Sequence, residues 1–275
     1  MKSDEAKDIS NQALAELAQA LEAGYSDTLQ RFLDFMGRFY KYSWNNCLRI
    51  AFQMPNASQV AGFRRWQELG RHVRKGEKGI GILAPMAYRQ RKETTDLEED
   101  SLVLTHGYKV VHVFDVSQTE GQDLPQLSTI QGEPGEFLPR LEGLIRDNGI
   151  TLTDELLPVG TKGVSRKGHI AITEGLPQAE RFAVLVHELS HEWMHDIEQR
   201  RQMTRTVRET EAEAVAYVVC RAFGFDCSTR SSDYIQLYRG DAMTLAESLQ
   251  RIQKTATRII ESLHETQQTA EEGNC

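Results

Sequence analysis

The chain has 275 residues, 40% hydrophobic and 26% charged. That composition excludes a fully disordered protein, and no apolar run is long enough to cross a bilayer. The formal net charge of -8 argues, taken as a total, against a nucleic-acid binder.

The charge is uneven along the chain. Residues 31–92 hold 13 Lys/Arg against three acids, Asp34, Glu68 and Glu77. The remainder is strongly acidic. Local field, not total charge, governs attraction to phosphate. The opening MKSDEAKDIS has no apolar signal-peptide core. Four scattered cysteines, Cys47, Cys220, Cys227 and Cys275, do not make a disulfide scaffold. A reducing cytoplasm is therefore the expected location.

In chain order, Leu14, Leu17, Leu21, Leu29, Phe32, Leu33 and Met36 recur at helical spacing, with Gly24 dividing two helices. A third helix is expected over 43–53, ending before Pro55. Ser58 is read as the cap of a fourth, whose stripe is Val60, Phe63, Trp66 and Leu69. Strands follow in 71–88, after a Lys75-Gly76 turn, and in 107–116. ETTDLEEDS at 93–101 reads as an acidic loop. The Gly/Pro/Gln-rich 117–136 lacks periodicity and reads as the linker, giving domains over 1–120 and 136–275 joined by 121–135. Beyond it come a helix near 136–148, a strand at His169–Ile172, a long helix over about 177–199, another from about 206 to Gly224, and a polar helix over 241–266.

The strongest motif is His187-Glu188-Leu189-Ser190-His191. Histidines at i and i+4 share a helical face, so both imidazoles can hold one Zn²⁺ while Glu188 acts as general base on a water. A third ligand is expected from RETEAEAVAYVVCRAFG. Glu209 and Glu213 share a face there and Glu211 points elsewhere. Glu209 is assigned as ligand and Glu213 as an acceptor that orients a ligand imidazole. The motif overlaps a second, His191-Glu192-Trp193-Met194-His195. The first pair is preferred for its apolar surroundings, which leaves His195 to flank the cleft or lie on the surface. Tyr234, Tyr238, His195 and Arg208 are the candidates for an oxyanion donor.

The basic stretch is interleaved with aromatics. That mixture suits single-stranded nucleic acid, whose bases stack on rings while cations follow the phosphates. Phe63 and Trp66 are read as core. Tyr40, Tyr42, Arg64, Arg71, Arg74, Lys75 and Lys78 are the contact candidates.

The segment YSWNNCLRIAFQMPNASQVAGFRRWQELGRHVRKGEKGIGILAP, continuing to VFDVSQTEG, resembles the N-terminal domain of ArdC-type antirestriction proteins. The second half is similar to the zincin-like metallopeptidase domains of the same proteins and to the ImmA/IrrE group, with HELSH on the metal helix and RETEAEAVAYVV on the glutamate helix. The resemblance implies a two-domain α+β protein of a mobile element. Its N-terminal α+β domain would bind single-stranded DNA. Its C-terminal domain would be a mainly helical zincin with a short sheet, whose edge strand near 169–173 borders the cleft. The expected function is zinc-dependent hydrolysis of peptide bonds in a DNA-associated protein. The alternative is an antirestriction, single-strand-protecting binding protein whose zincin half is structural. The expected partners are single-stranded DNA and a protein or peptide substrate, with no membrane.

Overall fold

A computed structural model describes residues 3–24, 26–90, 103–122, 133–225, 237 and 241–272. The acidic segment 93–101 and the candidates Tyr234 and Tyr238 lie outside the described residues. The fold is α+β, in two compact units. One comprises residues 1–13 and 48–124, the other residues 14–47 and 125–275.

The helices α1 (Ser3–Glu22) and α3 (Trp44–Gln53) contribute residues to both units, and α2 (Ser26–Arg38) belongs to the second. The expected division at 120 is thus replaced by a split in which residues 14–47 pack with the second half of the chain. The cause is visible within that unit. Asp34 of α2 accepts hydrogen bonds from the Tyr217 hydroxyl (2.8 Å) and from Arg221 Nε (2.7 Å), both on α8 (Arg205–Ala222). At Gly37 a Cβ would lie 2.9 Å from the Val218 carbonyl, so glycine lets these two helices approach closely.

In the first unit, β1 (Val60–Gly62), β4 (Val103–Asp115) and β3 (Ile80–Gln90) form an antiparallel sheet in the order β1-β4-β3. A short ribbon pairs β2 (Arg71–Val73) with β5 (Thr119–Gly121). The helix expected from Ser58 starts later, as α4 (Phe63–Glu68), with β1 before it. Asp115 explains the difference. Its Oδ2 accepts the backbone N–H of Ser58 (2.8 Å) and of Gln59 (3.0 Å), and its Oδ1 accepts that of Ser117 (3.0 Å). These bonds hold 58–62 extended beside β4. Trp66 is fully buried and donates its indole N–H to the Phe114 carbonyl (2.9 Å), whereas Phe63, also read as core, is 49% exposed. Residues 119–121, read as linker, are strand β5.

The second unit is mainly helical. Helix α8 is apolar on all sides over Ala214–Cys220, which suits an element packed by α2, α6 (Gln178–Met194) and α9 (Ala242–Glu272). The helices α5 (Phe137–Asp147) and α7 (Ile197–Gln202) complete the described helices of this unit. The sheet order is β6 (Thr151–Glu155), β8 (His169–Thr173), β7 (Gly163–Arg166). The strand expected at the edge, 169–173, is therefore central, parallel to β6 and antiparallel to β7. The edge beside α6 is β7. Its Gly163 sits so close to α6 that a Cβ would lie 2.6 Å from Val184 and 2.9 Å from Glu188 Oε1. Cys220 is disulfide-bonded. Cys47 is free and buried. No described helix is long and apolar enough to cross a membrane.

Candidate metal centre and nucleic-acid interface

Helix α6 follows β8 through a Gly175 turn and begins after Pro177, whose fixed φ suits a helix start. Its inner face carries Phe182, Leu185, Val186 and Leu189, all fully buried. This apolar anchorage fixes the helix and turns His187 and His191 toward α8. There, His187 Nε2 and His191 Nε2 lie 3.1 Å apart, and each is 3.5 Å from Glu209 Oε2. These three donor atoms are the one candidate metal cluster among the described residues.

The donor set fits a divalent cation. Tetrahedral coordination with bonds near 2.0–2.2 Å places donors about 3.3–3.5 Å apart. Octahedral coordination with bonds near 2.0–2.1 Å places adjacent donors about 2.9 Å apart. The observed separations are compatible with either and favour no one metal.

The hydrogen bonds behind the ligands fix their tautomers. His187 Nδ1 is 3.4 Å from Glu213 Oε2, so the neutral ring would keep its proton on Nδ1 and offer Nε2 to a cation. His191 is oriented by a longer chain. Arg251 Nη2 donates to Glu211 Oε1 (2.6 Å), Glu211 Oε2 lies 3.2 Å from His195 Nε2, and His195 Nδ1 lies 3.0 Å from His191 Nδ1. With Glu211 ionised, His195 donates from Nε2 and accepts at Nδ1. His191 therefore donates from Nδ1 and presents its Nε2 lone pair to the site. His195 was expected beside the cleft or on the surface. It is buried, and so is Glu211.

The electrostatics match a cation site. Burial works against a charge on His187, but Glu209, Glu213 and Glu188 outweigh it and raise its pKa to about 9. The facing imidazoles of His187 and His191 hold Glu209 far below the usual carboxylate range. Burial depresses His191. Burial also opposes ionisation of Glu211, yet its bonds to His195, Arg251 and Ser248 keep it low. Burial raises Glu188 to about 7 despite the backbone N–H of Ser165 on β7. Glu192, the acid of the overlapping motif, accepts the Gly168 N–H at 2.7 Å instead. Arg208 lies on α8 and is partly buried.

The seven candidate DNA contacts separate into three groups. Arg64, Lys75 and Lys78 are exposed in the first unit. Arg71 and Arg74, in the same unit, brace its ribbon. Arg71 Nε donates to Thr119 Oγ1 (2.8 Å) and its Nη1 to the Gln122 carbonyl, while Arg74 binds Glu77 (2.8 Å) and the Ser117 carbonyl (2.6 Å). Tyr40 and Tyr42 belong to the second unit. The Tyr40 carbonyl accepts from Gln253 and Thr257 of α9, and its ring stacks on His264. Tyr42 packs against Phe39.

Residues 4–116 match the family model described as the N-terminal domain of anti-restriction factor ArdC. Residues 4–116 thus form a domain of the ArdC N-terminal type. The fold of the chain is like that of the antirestriction ArdC protein from plasmid R388, with a TM-score of 0.57 against the metal-free crystal structure. That likeness covers 94% of this chain and 98% of the other at 18% identity. The Mn(II)-bound structure of the R388 protein gives the same TM-score at 17% identity, covering 93% and 98%. An uncharacterised Bacillus anthracis protein, pXO2-81, is 23% identical across 94% of this chain. This chain spans about half the length of that relative, 51%.

Proposed function

We propose that the protein is an antirestriction factor that binds and protects single-stranded DNA through its first unit, and holds a divalent cation at His187, His191 and Glu209 in its second. The observation that carries this reading is the match of residues 4–116 to the ArdC N-terminal domain, together with the exposed cations Arg64, Lys75 and Lys78 that lie within it. The Mn(II)-bound R388 relative supports a cation at the triad. Binding to phosphates releases counterions, so affinity for single strands should fall steeply with salt. The test is nuclease protection of a single strand by the full chain. Protection that requires the protein in stoichiometric amounts supports the reading, and digestion at the unprotected rate rejects it.

A second reading, zinc-dependent hydrolysis of a peptide bond, is favoured by Glu188. Its carboxyl is buried against Gly163, takes a backbone N–H from Ser165 and has a pKa near 7, where a general base is most effective. A bound cation would polarise the scissile carbonyl and ease deprotonation of water. Glu188 would take that proton and pass it to the leaving amine. The edge strand β7, half-buried over Gly163–Ser165, would pair with an extended peptide backbone along its free side. Glu188→Gln separates the two readings. It abolishes cleavage of a loosely folded protein substrate under the second, and leaves nuclease protection unchanged under the first.

A further inference from the structure

The sheet of the first unit has two unlike faces. On one, Ile80, Ile82 and Val113 are buried. On the other, successive even-numbered residues of β4 point outward, because side chains alternate along a strand. Tyr108 is 64% exposed there, His112 is exposed and Phe114 is half-buried. The run from Tyr108 to Phe114 is about 20 Å long. Phe63, at the start of α4, meets Phe114 edge to face with centroids 6.5 Å apart. At Gly79 a Cβ would lie 2.8 Å from His112 and 3.1 Å from Phe114, so the missing side chain makes room for these two side chains beside the start of β3.

Among the described residues, exposed cations stand next to these rings in sequence. The nearby carboxylates Glu68 and Glu77 are paired, Glu68 with Arg65 at 2.9 Å and Glu77 with Arg74 at 2.8 Å. Arg64, next to Phe63, and Lys78, next to Gly79, are exposed. Rings on a sheet face beside cations suit unpaired bases joined by phosphates, because a duplex hides the base faces inside its stack.

We propose that the open face of the β1-β4-β3 sheet is a base-stacking platform for single-stranded DNA. Phe63, Tyr108 and Phe114 take the bases, and Arg64 and Lys78 the phosphates. The proposal rests on the single-strand-binding reading above and names where on the first unit that strand lies. None of these three rings is among the contact candidates drawn from the sequence.

The test is fluorescence anisotropy of the full chain with a short labelled oligothymidylate and with an abasic strand of equal length. Phe63→Ala and Tyr108→Ala should each weaken oligothymidylate binding about tenfold. Both should leave the weaker abasic binding unchanged, while Tyr108→Phe, which keeps a ring, should bind as wild type. Alanine variants that bind oligothymidylate with full affinity overturn the platform but leave the single-strand reading standing. Equal losses on both strands also overturn it, since they point to lost charge or fold. If the wild type binds neither strand, the single-strand reading itself fails and the platform fails with it.

Discussion

His195 Nδ1 lies 3.0 Å from His191 Nδ1, and the far side of the His195 ring is held by the buried carboxylate of Glu211 at 3.2 Å. A histidine outside the candidate triad thereby decides which nitrogen of His191 faces His187 and Glu209. Removing such an orienting partner typically costs 10–100-fold in metal affinity. His195→Phe should show a loss of that size in a chelator competition with Mn²⁺ or Zn²⁺. His195→Gln should recover part of it, because its carbonyl can accept from His191 while its amide donates to Glu211. Unchanged affinity in His195→Phe would show that the His191 tautomer is set elsewhere.

Metal binding should release a proton. Without a cation, His187 has a pKa near 9 and is protonated at neutral pH. A ligand imidazole must be neutral, so the proton leaves as the metal enters. Affinity should therefore fall as pH drops below about 9, and calorimetry in buffers of different ionisation enthalpy should show proton release near pH 7. Buffer-independent heats would contradict this.

Asp115 makes the first unit acid-sensitive. Burial works against its charge, but the N–H groups of Ser117, Ser58 and Gln59 win and lower its pKa. A depressed folded pKa gives stability that is fully present above the unfolded value, about 3.9, and is lost as pH falls through the lower folded value. Asp115→Ala leaves these backbone donors without their acceptor and should cost about 2–4 kcal/mol, read from urea unfolding at pH 7. It should also flatten the stability profile below pH 4. A loss under 1 kcal/mol, or an unchanged acid profile, would show that the carboxylate is not what ties 58–59 to β4.

Charge removal at Arg64 or Lys78 should act differently from ring removal. Each lost phosphate contact lowers the slope of log affinity against log salt by about 0.7 on a single strand. Arg71→Ala and Arg74→Ala should instead lower the melting temperature, since both side chains tie down the ribbon. A salt slope that does not change in Arg64→Ala and Lys78→Ala would place the phosphates elsewhere.

The clustering of His187, His191 and Glu209 was readable because i, i+4 spacing on two helices leaves little freedom. His187 and His191 must share a face of α6, as Glu209 and Glu213 must on α8. The role of His195 was not readable. It follows Met194, the last residue of α6, and its φ of -115° and ψ of 71° take it off the helical path. Its ring thus reaches Glu211, the residue whose face points away from His187. Strand β7 was hidden because Gly163, Val164 and Ser165 carry too little apolar alternation to signal a strand, yet its narrowness is what lets it press on Glu188. The start of α4 was misplaced because Ser58 satisfies a capping pattern, whereas the long-range bonds to Asp115 keep it extended. The allegiance of residues 14–47 was likewise hidden, since an apolar stripe does not name its partner and the bonds of Asp34 to Tyr217 and Arg221 span more than half the chain.

The most direct test of the account is equilibrium binding of the full chain to a single strand and to a blunt duplex of the same sequence, each over a range of salt. The account predicts preferential binding of the single strand and an affinity that falls linearly on a log–log plot as salt rises. Equal affinity for the duplex, or binding indifferent to salt, would contradict it.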